Sequence, residues 1–591
     1  MGHLALGGAV LGAVWLGSVP GMIAAVAVGA AIWLRHPALV AVAMFAVTSF
    51  LGGKALAGLQ PADAGPVDGW LTLLDDPRPA GAHGIRFTAR FEQRRVAVFA
   101  HGPAAGRLDD LLAGEQVHVT GSIRPTRDDD SWARWRHEVG RVTVDGVVDR
   151  APASPVSAFA NAIRRTLSGG ASGMNATEKA VFLGMVIGDD RAQTAATADD
   201  FRAAGLGHLL VVSGQNVAFV LAVVAPVAAR LRPGRRLVVL CAVLLMFAVL
   251  TRFEPSVMRA VAMAGVGIGA GSLGTPIDGR RGLSWAIAGL LVVDPFLLHV
   301  LAFQLSAAAT TGIVWLSAPL GRVIPGPSWI RVPFATTVAA QLAVSPLLVL
   351  TFGPMPLASL PANLLAGPAS GPVMMWGFTA GLAAGVVGGW PATLIHVPTS
   401  LMLWWITGVA AAAARAPQAT LDFVALATIA AAVAAALIGP RPVRLAAMVV
   451  AIAVCATSVA SAPRAPVGET FLGDGVELLQ ADGRAVIILR NPTSPRSVLE
   501  TIRLAGVGRP VVVVATDGDA ADAFAVLALS DRFGELFVIA PPLHRVPGAK
   551  TVRMGDDISI AGLVLRVVGV DPELEIAVAG RPPPSIDVGG R

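Results

Sequence analysis

The chain has 591 residues, of which 54% are hydrophobic and 14% charged, and its formal net charge is +6. An ordinary soluble domain carries roughly 25% charged residues, so the composition excludes that class and predicts an α-helical polytopic membrane protein. The positive excess lies between residues 151 and 463, whereas residues 60–150 and 464–591 are mildly acidic. In a simple nucleic-acid-binding protein, the positive charge would instead be concentrated in the polar regions that bind the nucleic acid. The only two cysteines lie in apolar runs, which excludes a disulfide framework and a cysteine metal site.

The N-terminal 59 residues contain short apolar runs at 4–18, 20–34 and 37–57, with Arg35 and His36 between the last two. No Lys or Arg precedes the first run, so we interpret it as a membrane helix and not as a cleaved signal peptide. Crossing a bilayer takes about 20 apolar residues. The first two runs are therefore expected to be short, tilted or partly re-entrant.

Residues 60–150 alternate apolar and polar side chains between Gly, Pro and Asp turns, which predicts β-strands. The alternating runs lie at 69–74, 85–91, 95–99, 116–121 and 141–148. They suit an inserted all-β barrel domain of the oligonucleotide/oligosaccharide-binding (OB) type. Such barrels bind single strands through basic grooves and aromatic side chains. The candidates here are Trp132, Arg134, Trp135 and Arg136, with the alternative that the aromatic residues touch no ligand; the Phe residues are expected in the core.

Residues 151–463 are expected to form a multi-helix transmembrane domain. Residues 155–200 have the pattern of amphipathic helices at the membrane surface, and about nine to eleven apolar segments follow. These segments lie at 208–229, 237–251, 256–273, 283–299, 301–320, 333–352, 357–388, 397–414, 420–438 and 444–462.

The orientation of the chain follows from the placement of Lys and Arg, which are enriched in cytoplasmic loops. The cluster Arg230, Arg232, Arg235 and Arg236 and the pair Arg441 and Arg444 mark such loops, and Arg35 marks the N-terminal one. This places the barrel domain and residues 464–591 on the extracytoplasmic face. Residues 464–591 predict a separate α/β domain, with buried strands at 486–489, 510–515 and 536–540 and helices near 496–506 and 520–532.

Polar residues concentrate at the start of the first large apolar run, between Gly205 and Val217. His208, Ser213, Gly214, Gln215 and Asn216 lie where a membrane helix should begin, and polar groups at membrane depth usually mark function. The glycines favour a broken or re-entrant helix beside a cavity. The alternative is that Ser and Asn form hydrogen bonds between neighbouring helices.

Further polar residues interrupt the later apolar segments. Arg259 lies about one turn inside a span, where it could extend to the interface, pair with Glu254 or bind a phosphate. Gln304, Gln341 and Asn363 are single amides, and each taken alone fits an interhelical hydrogen bond better than the lining of a conduit.

These segments occur in a recognisable order. His-Leu-Leu-(x)2-Ser-Gly at 208–214 is followed by Pro-Ser-Val-Met-Arg-Ala at 255–260, Asp-Pro at 294–295, Phe-Gln-Leu-Ser at 303–306, Gln-Leu-Ala-Val-x-Pro at 341–346 and Leu-Pro-Ala-Asn-Leu at 360–364. The set resembles the competence domain of the ComEC family, the DNA-uptake channels of naturally transformable bacteria. Residues 112–125 are similar to that family's external OB domain.

The resemblance implies an inner-membrane channel that passes one DNA strand into the cytoplasm, without covalent chemistry in the helices. The implied DNA path comprises His208, Ser213, Gly214, Gln215, Asn216, Arg259, Gln304, Ser306, Gln341 and Asn363. The implied partners are single-stranded DNA, the lipid bilayer, a DNA receptor outside and a DNA-translocating motor in the cytoplasm.

The chain departs from the family at two places. The family has His where this chain has Asn216. Family members often end in a metallo-β-lactamase-like domain with His-x-His-x-Asp-His, whereas the matching segment here keeps Asp517 and Asp519, and His544 is the only later histidine. A two-metal hydrolase needs several His and carboxylate ligands. We therefore expect a degenerate C-terminal domain without catalytic residues, metal or cofactor; Mg²⁺ held by carboxylates alone is the open alternative.

The expected function is translocation of single-stranded DNA during natural transformation. The competing class is a secondary transporter of a small or lipid-like solute, which an intramembrane carboxylate pair would support. Asp294 and Glu254 lie near span ends instead. A nuclease is disfavoured by the number of histidines.

Overall fold

The computed structural model describes residues 2–578 except 15, 18, 35, 36, 81–83, 127–130, 273, 417, 464, 465, 467, 482, 483, 543, 561, 562 and 571–573. Three apolar helices lie at its N-terminal end: α1 (Gly2–Val14), α2 (Gly21–Leu34) and α3 (Pro37–Ala57). They confirm the three predicted runs. Arg35 and His36, which bear on the predicted orientation, lie outside the described residues.

Helices α1 and α3 approach each other closely through glycines. A Cβ at Gly8 would lie 2.0 Å from the carbonyl oxygen of Ala41, and one at Gly12 would lie 2.4 Å from that of Phe45. Small residues of this kind hold helices together in lipid, where no hydrophobic effect drives their association.

The inserted region forms a six-stranded sheet with two short helices. The strands are β1 (Gly65–Leu73), β2 (Arg78–Pro79), β3 (Gly84–Phe91), β4 (Arg94–His101), β5 (Gln116–Pro125) and β6 (Glu138–Ala151), and the helices are α4 (Gly102–Leu108) and α5 (Ser131–Trp135). The order is β1-β5-β6-β4-β3-β2, with β4 and β6 parallel. β1 also pairs with β3 at Thr72–Arg90 and Leu73–Ala89. All five predicted strands are present, whereas the OB-like barrel stays a prediction.

Alternation along these strands separates a core from a solvent face. Val67, Leu71 and Leu73 of β1 are buried with Phe87 of β3, and Trp70 between them is 44% exposed. Phe87 is therefore a core residue as expected, whereas the predicted core residues Phe91 and Phe99 are half-buried.

Three connecting helices and ten further helices make up residues 151–463. The connecting helices are α6 (Pro155–Gly170), α7 (Ala176–Ile187) and α8 (Ala195–Ala203). The others are α9 (Gly214–Ala228), α10 (Pro233–Leu250), α11 (Pro255–Ser272), α12 (Gly279–Val293), α13 (Leu301–Val323), α14 (Ser328–Phe352), α15 (Ser359–Val387), α16 (Gly389–Arg415), α17 (Phe423–Ile438) and α18 (Arg441–Ala460). A two-residue strand pair, β7 (Met355–Pro356) and β8 (Thr420–Leu421), links α14–α15 to α16–α17.

The ten later helices match the ten predicted segments. Among the described helices, seven are long and apolar enough to cross a membrane by length and composition: α3, α10, α13, α14, α15, α16 and α18. The chain is therefore a multi-pass membrane protein. The expectation of surface helices over 155–200 is wrong for α7, because its residues 180–187 are all buried and it contacts both α15 and α16.

The C-terminal region is an α/β domain, as predicted. Its elements are β9 (Gly468–Gly473), β10 (Val476–Ala481), β11 (Arg484–Leu489), α19 (Pro495–Leu504), β12 (Val512–Ala515), α20 (Ala520–Phe533), β13 (Phe537–Ala540), β14 (Lys550–Thr551), β15 (Asp557–Ile560), β16 (Leu563–Gly569) and β17 (Glu575–Val578). Strands β9 to β14 form one sheet in chain order, parallel from β11 onward. One core joins this sheet to α19 and α20, and another joins it to β15–β17. The likeness to metallo-β-lactamases stays a prediction.

The C-terminal domain is docked on α8 by two ion pairs. The Nε of Arg503 lies 3.0 Å from Oδ1 of Asp199, with both side chains nearly buried, and Arg532 pairs with Asp200. Ala196 of α8 belongs to the core of the C-terminal domain. The domain therefore packs directly on the helix that leads into the polar segment at 205–217.

The β-region is joined to the helices by a buried charge network around Asp76. Its carboxylate accepts hydrogen bonds from Nη2 of Arg164 at 2.7 Å and Nη2 of Arg252 at 2.9 Å. The Nη1 of Arg164 also donates to the carbonyl oxygens of Ile187 and Leu250. Burial acts to raise the pKa of Asp76, but the two guanidinium groups more than offset it and lower the pKa to about 2. The network thus fixes the β-region and the helices α6, α7 and α10 at one buried point.

We expect Asp76→Asn to weaken this junction strongly, because two buried guanidinium groups would lose their counter-charge. Removing one member of a buried pair costs about 3–5 kcal/mol. The free energy of unfolding of the full chain in detergent, followed by denaturant titration, measures the effect. For the wild type, the contribution is present above about pH 4 and is lost as the pH falls towards 2, since the folded pKa lies below the unfolded one.

Asp110→Asn is the matched control. Asp110 pairs with Arg150 on the surface of the same region, with its side chain 69% exposed, and such pairs contribute about 0–1 kcal/mol. Equal losses from the two substitutions would contradict the central role of Asp76.

Candidate functional site

The polar segment forms a break between two helices, as predicted. Helix α8 ends at Ala203, a single 3₁₀ turn spans Gly207–Leu209, and α9 begins only at Gly214. Gly205 has φ of +64°, a conformation that costs other residues energy. The N–H of Leu206 returns to the carbonyl of Phe201 at 2.7 Å, which terminates α8 at this glycine.

Two of the predicted amides meet this break. The Nδ2 of Asn363 donates to the carbonyl oxygen of Ser359 at 2.8 Å and reaches that of Gly205 at 3.4 Å. The Nε2 of Gln341 donates to Oγ of Ser359 at 2.6 Å. Gly205, Gln341, Ser359 and Asn363 therefore form one polar group where α8 ends beside the start of α15. Ser359 was not among the predicted site residues.

Asn216 is held inside the bundle by hydrogen bonds at both ends of its amide. Its Oδ1 accepts from Oγ of Ser213 at 3.1 Å, and its Nδ2 donates to the carbonyl oxygen of Met185 at 3.0 Å. Its side chain is buried. These are the hydrogen bonds between helices that the alternative describes, and a place for Asn216 on a DNA path stays a prediction.

Arg259 is buried without a carboxylate partner among the described residues. Its Nε donates to Oγ of Ser306 at 2.8 Å and its Nη1 lies 3.5 Å from Sδ of Met263. The considered pairing with Glu254 is wrong, because the Glu254 carboxylate lies 3.8 Å from Arg78 of β2. The guanidinium instead faces the start of α9, where a Cβ on Gly214 would lie 2.9 Å from its Nη2.

The predicted path residues thus fall into separate groups. Gly214, Arg259 and Ser306 meet at the start of α9, with Ser213 and Asn216 beside them, and Gln341 and Asn363 meet at Gly205. Gln304 donates to the carbonyl oxygen of Leu298 at 2.7 Å, at the turn before its own helix. His208 and Gln215 are exposed.

A cavity of about 350 Å³ lies beside Asn216. It is bounded by α7, α9, α10 and α15, and apart from Asn216 and Thr379 its lining is apolar. Such a surface does not favour a phosphate backbone, so this cavity and the polar groups described above are different features.

The predicted DNA-binding residues of the β-region lie at a junction with the helices. The ring of Trp135 stacks on His299 with centroids 4.1 Å apart and meets Phe296 edge-on at 5.5 Å. Arg134 is exposed and Arg136 half-exposed, while the side chain of Trp132 lies outside the described part. Contact of these residues with DNA stays a prediction.

Another aromatic and basic surface was missed by sequence reasoning. Trp70, Arg90 and Arg95 are exposed, Thr72 pairs with Arg90, and Arg90 pairs with Arg95 across β3 and β4. The ring of His118 on β5 lies 5.3 Å from that of Trp70. Alternation identifies the outward residues of each strand, but only the register shows that they share one face.

The aspartates of the C-terminal domain surround the start of α20. Asp519 accepts the N–H of Asp522 at 3.0 Å and so caps the helix. Asp522 is buried; its Oδ2 accepts the N–H groups of Asp517 and Gly518, and its Oδ1 has no hydrogen-bond partner. Burial raises the pKa of Asp522 to about 7. No three His, Cys, Asp or Glu side chains in the described part are grouped to hold a metal ion.

Comparisons with known proteins agree with the order of these segments. Residues 185–446 match the competence protein family. ComE operon protein 3 of Bacillus subtilis (strain 168) is 27% identical over 166 residues, which are 28% of this chain and 21% of that protein. The match thus spans about a fifth of that relative. No solved structure matches the chain. These findings confirm the resemblance to the ComEC family.

We expect Gly205→Ala to destabilise the chain by about 2–5 kcal/mol, because φ is positive and the added Cβ would lie 2.2 Å from Cβ of Ser359. Gly207→Ala is the control: its Cβ would lie 3.7 Å from the nearest atom, on Arg202. Denaturant titration of both variants in detergent measures the difference. Equal stabilities would show that the close approach at Gly205 is not required.

We expect Asp522→Asn to stabilise the full chain above pH 7, on the order of 2–4 kcal/mol. The raised pKa means that the wild type loses stability as the pH rises from about 4 to about 7, whereas an amide stays neutral and its oxygen still accepts both N–H groups. Denaturant midpoints at pH 5 and pH 8 measure this. Asp531→Asn, exposed on the same helix, should behave as wild type; an unchanged pH dependence for Asp522→Asn would contradict the assignment.

Proposed function

We propose that this chain, whose residues 185–446 belong to the competence protein family, serves DNA uptake during competence as an inner-membrane channel for one DNA strand. The observation that carries the proposal is the buried cation Arg259 at the helix break, inside the region that matches the family. A polyanion can cross the low-dielectric interior only where fixed positive charge and helix N-termini replace its counterions.

The proposed orientation places both β-rich regions outside the cell membrane. The four arginines between the end of α9 and the first turn of α10 support a cytoplasmic loop at that end of the bundle. Both regions contact the stretch 189–203, which precedes the N-terminal end of α9, whereas the arginine loop follows its C-terminal end. Arg78 lies 3.5 Å from Asp190, and Arg503 lies 3.0 Å from Asp199. Contacts with one short stretch support a position on the same face.

The β-region is proposed to meet DNA before the helices do. Its strand order and the parallel pair β4–β6 support an OB-type fold, and such folds hold single strands on aromatic and basic surfaces. The face of Trp70, Arg90, Arg95 and His118 has this composition. This face would add to the predicted DNA-binding residues of α5, where the ring of Trp135 is already stacked on that of His299.

The C-terminal domain is proposed to be a docking module without nuclease activity. Asp519 caps α20 and Asp522 accepts backbone N–H groups, so both carboxylates have structural partners. The ion pairs with Asp199 and Asp200 support a role in holding α8.

One observation favours the alternative of a transporter for a lipid-like solute. The apolar cavity beside Asn216 would accept a hydrocarbon group and not a phosphate. The two functions are distinguished by whether DNA entry depends on the protein.

Deletion of the gene in a competent host should abolish transformation, while DNA still binds to the cell surface. The reason is that binding precedes membrane passage, and only passage requires the channel. Transformant frequency and surface-bound labelled DNA are measured together, and the intact gene supplied in trans should restore uptake. Transformation at the wild-type frequency in the deleted strain would overturn the proposal.

A further inference from the structure

We propose that Arg259 and the N-terminus of α9 form a binding site for a single phosphate group. Its ligand is a phosphate monoester or diester, held between the guanidinium and the first backbone N–H groups of α9. That the occupant is a phosphate of the translocated strand rests on the proposed function; the site itself follows from the residues.

The first argument is an unbalanced buried charge. Arg259 is 8% exposed, and its two hydrogen-bonding neighbours, Ser306 and Met263, are neutral. The acidic residues at nearby helix ends are engaged elsewhere: Glu254 with Arg78 and Asp294 with His137. A buried cation without a counter-charge is costly, and a bound anion would supply the missing charge.

The second argument is the environment of the Nη2 atom. Nη2 makes no hydrogen bond to the described residues, whereas Nε and Nη1 are engaged. It points to the start of α9, where only a hydrogen at Gly214 fits; a Cβ would lie 2.9 Å from Nη2 and 3.0 Å from Cβ of Ala260. The glycine therefore permits the helix end and the guanidinium to meet.

The third argument is the direction of the two helices. The N–H groups at the start of an α-helix lack an intrahelical acceptor; in α9 that of Asn216 donates to the carbonyl oxygen of Ser213, which leaves those of Gly214 and Gln215. The N-cap residue Ser213 makes no side-chain cap, and its hydroxyl donates to Asn216. Arg259 itself lies in the second turn of α11, near another positive helix end. Both dipoles disfavour a cation at this point and favour an anion. The meeting of two helix N-termini with Arg259 does not stabilise the fold by itself, whereas a bound phosphate would be stabilised by all three groups.

The site is accessible and sized for one group. Ser213 and Gly214 are half-buried and Gln215 is exposed, so the start of α9 opens to the outside of the bundle. A free guanidinium nitrogen together with backbone N–H groups matches the oxygens of one phosphate. The same chemistry fits a strand phosphate and a phospholipid headgroup, and these sources must be separated by experiment.

The site is tested on the full chain in phosphatidylcholine nanodiscs. Thymidine 5′-monophosphate should raise the melting temperature of the wild type, and thymidine, which lacks the phosphate, should not. Arg259→Gln should abolish the shift, and Arg259→Lys should keep part of it because the charge remains. Arg280→Gln, an exposed arginine at the start of α12, should behave as wild type. Equal shifts for wild type and Arg259→Gln would overturn the site.

The occupant is tested separately in a competent host. Arg259→Gln should lower the transformation frequency by about tenfold or more, the factor expected for a lost charge-assisted hydrogen bond. Binding of DNA to the cell surface should stay normal in this strain. The Arg280→Gln strain should transform at the wild-type frequency. Normal transformation of Arg259→Gln would overturn the strand as occupant. If thymidine 5′-monophosphate no longer raised the melting temperature of the wild type in phosphatidylglycerol nanodiscs, the occupant would be a lipid headgroup. If Arg259→Lys bound the nucleotide but the wild-type gene supported no DNA entry, the proposed function would fail and the site would stand.

Discussion

The ion pair between Asp76 and Arg164 is the constraint on which the arrangement of the domains depends. Arg164 lies on α6, between the β-region and the helical bundle, and is almost completely buried. One guanidinium contacts a carboxylate from the β-region and two backbone carbonyls from the ends of α7 and α10. Because separating a buried charge from its counter-charge costs several kcal/mol, on the order of 3–5, moving these elements apart would lower the stability of the chain strongly.

The segment between this network and α9 connects both β-rich regions to the helix break. Asp190 lies 3.5 Å from Arg78 of the β-region, and Asp189 lies 3.7 Å from Arg164 of α6. Asp199 and Asp200 pair with arginines of the C-terminal domain, and Gly205 then ends α8 against Ser359. Three of the four carboxylates in this stretch of twelve residues thus contact a β-rich region, and the fourth joins the Asp76 network. The sequence predicted amphipathic helices at the membrane surface here, whereas in the structure this charged stretch contacts both β-rich regions.

Much of this architecture could be predicted from periodicity and composition. The ten apolar segments, the five alternating strands and the break before α9 follow from local patterns, since each depends on neighbours in the sequence. The burial of α7 could not be predicted, because helices from nearly 200 residues later cover it. The same holds for Ser359, whose place in the polar group depends on a contact with Gly205, and for Trp70 and Arg90, whose shared face depends on strand register. Trp135 was predicted as a DNA-binding residue, but its ring packs against Phe296 and His299 of the 3₁₀ turn at Pro295–His299, a contact that the sequence does not reveal.

The insertion of Ala196 into the core of the C-terminal domain has a consequence for how this chain can evolve. A C-terminal domain that was attached only through its connecting residues could be lost without changing the surface of the membrane domain. Here its loss would uncover an apolar patch on α8 and leave Asp199 and Asp200 facing no cation, directly before the helix break. Selection on the membrane domain alone would then be sufficient to retain the fold of the C-terminal domain.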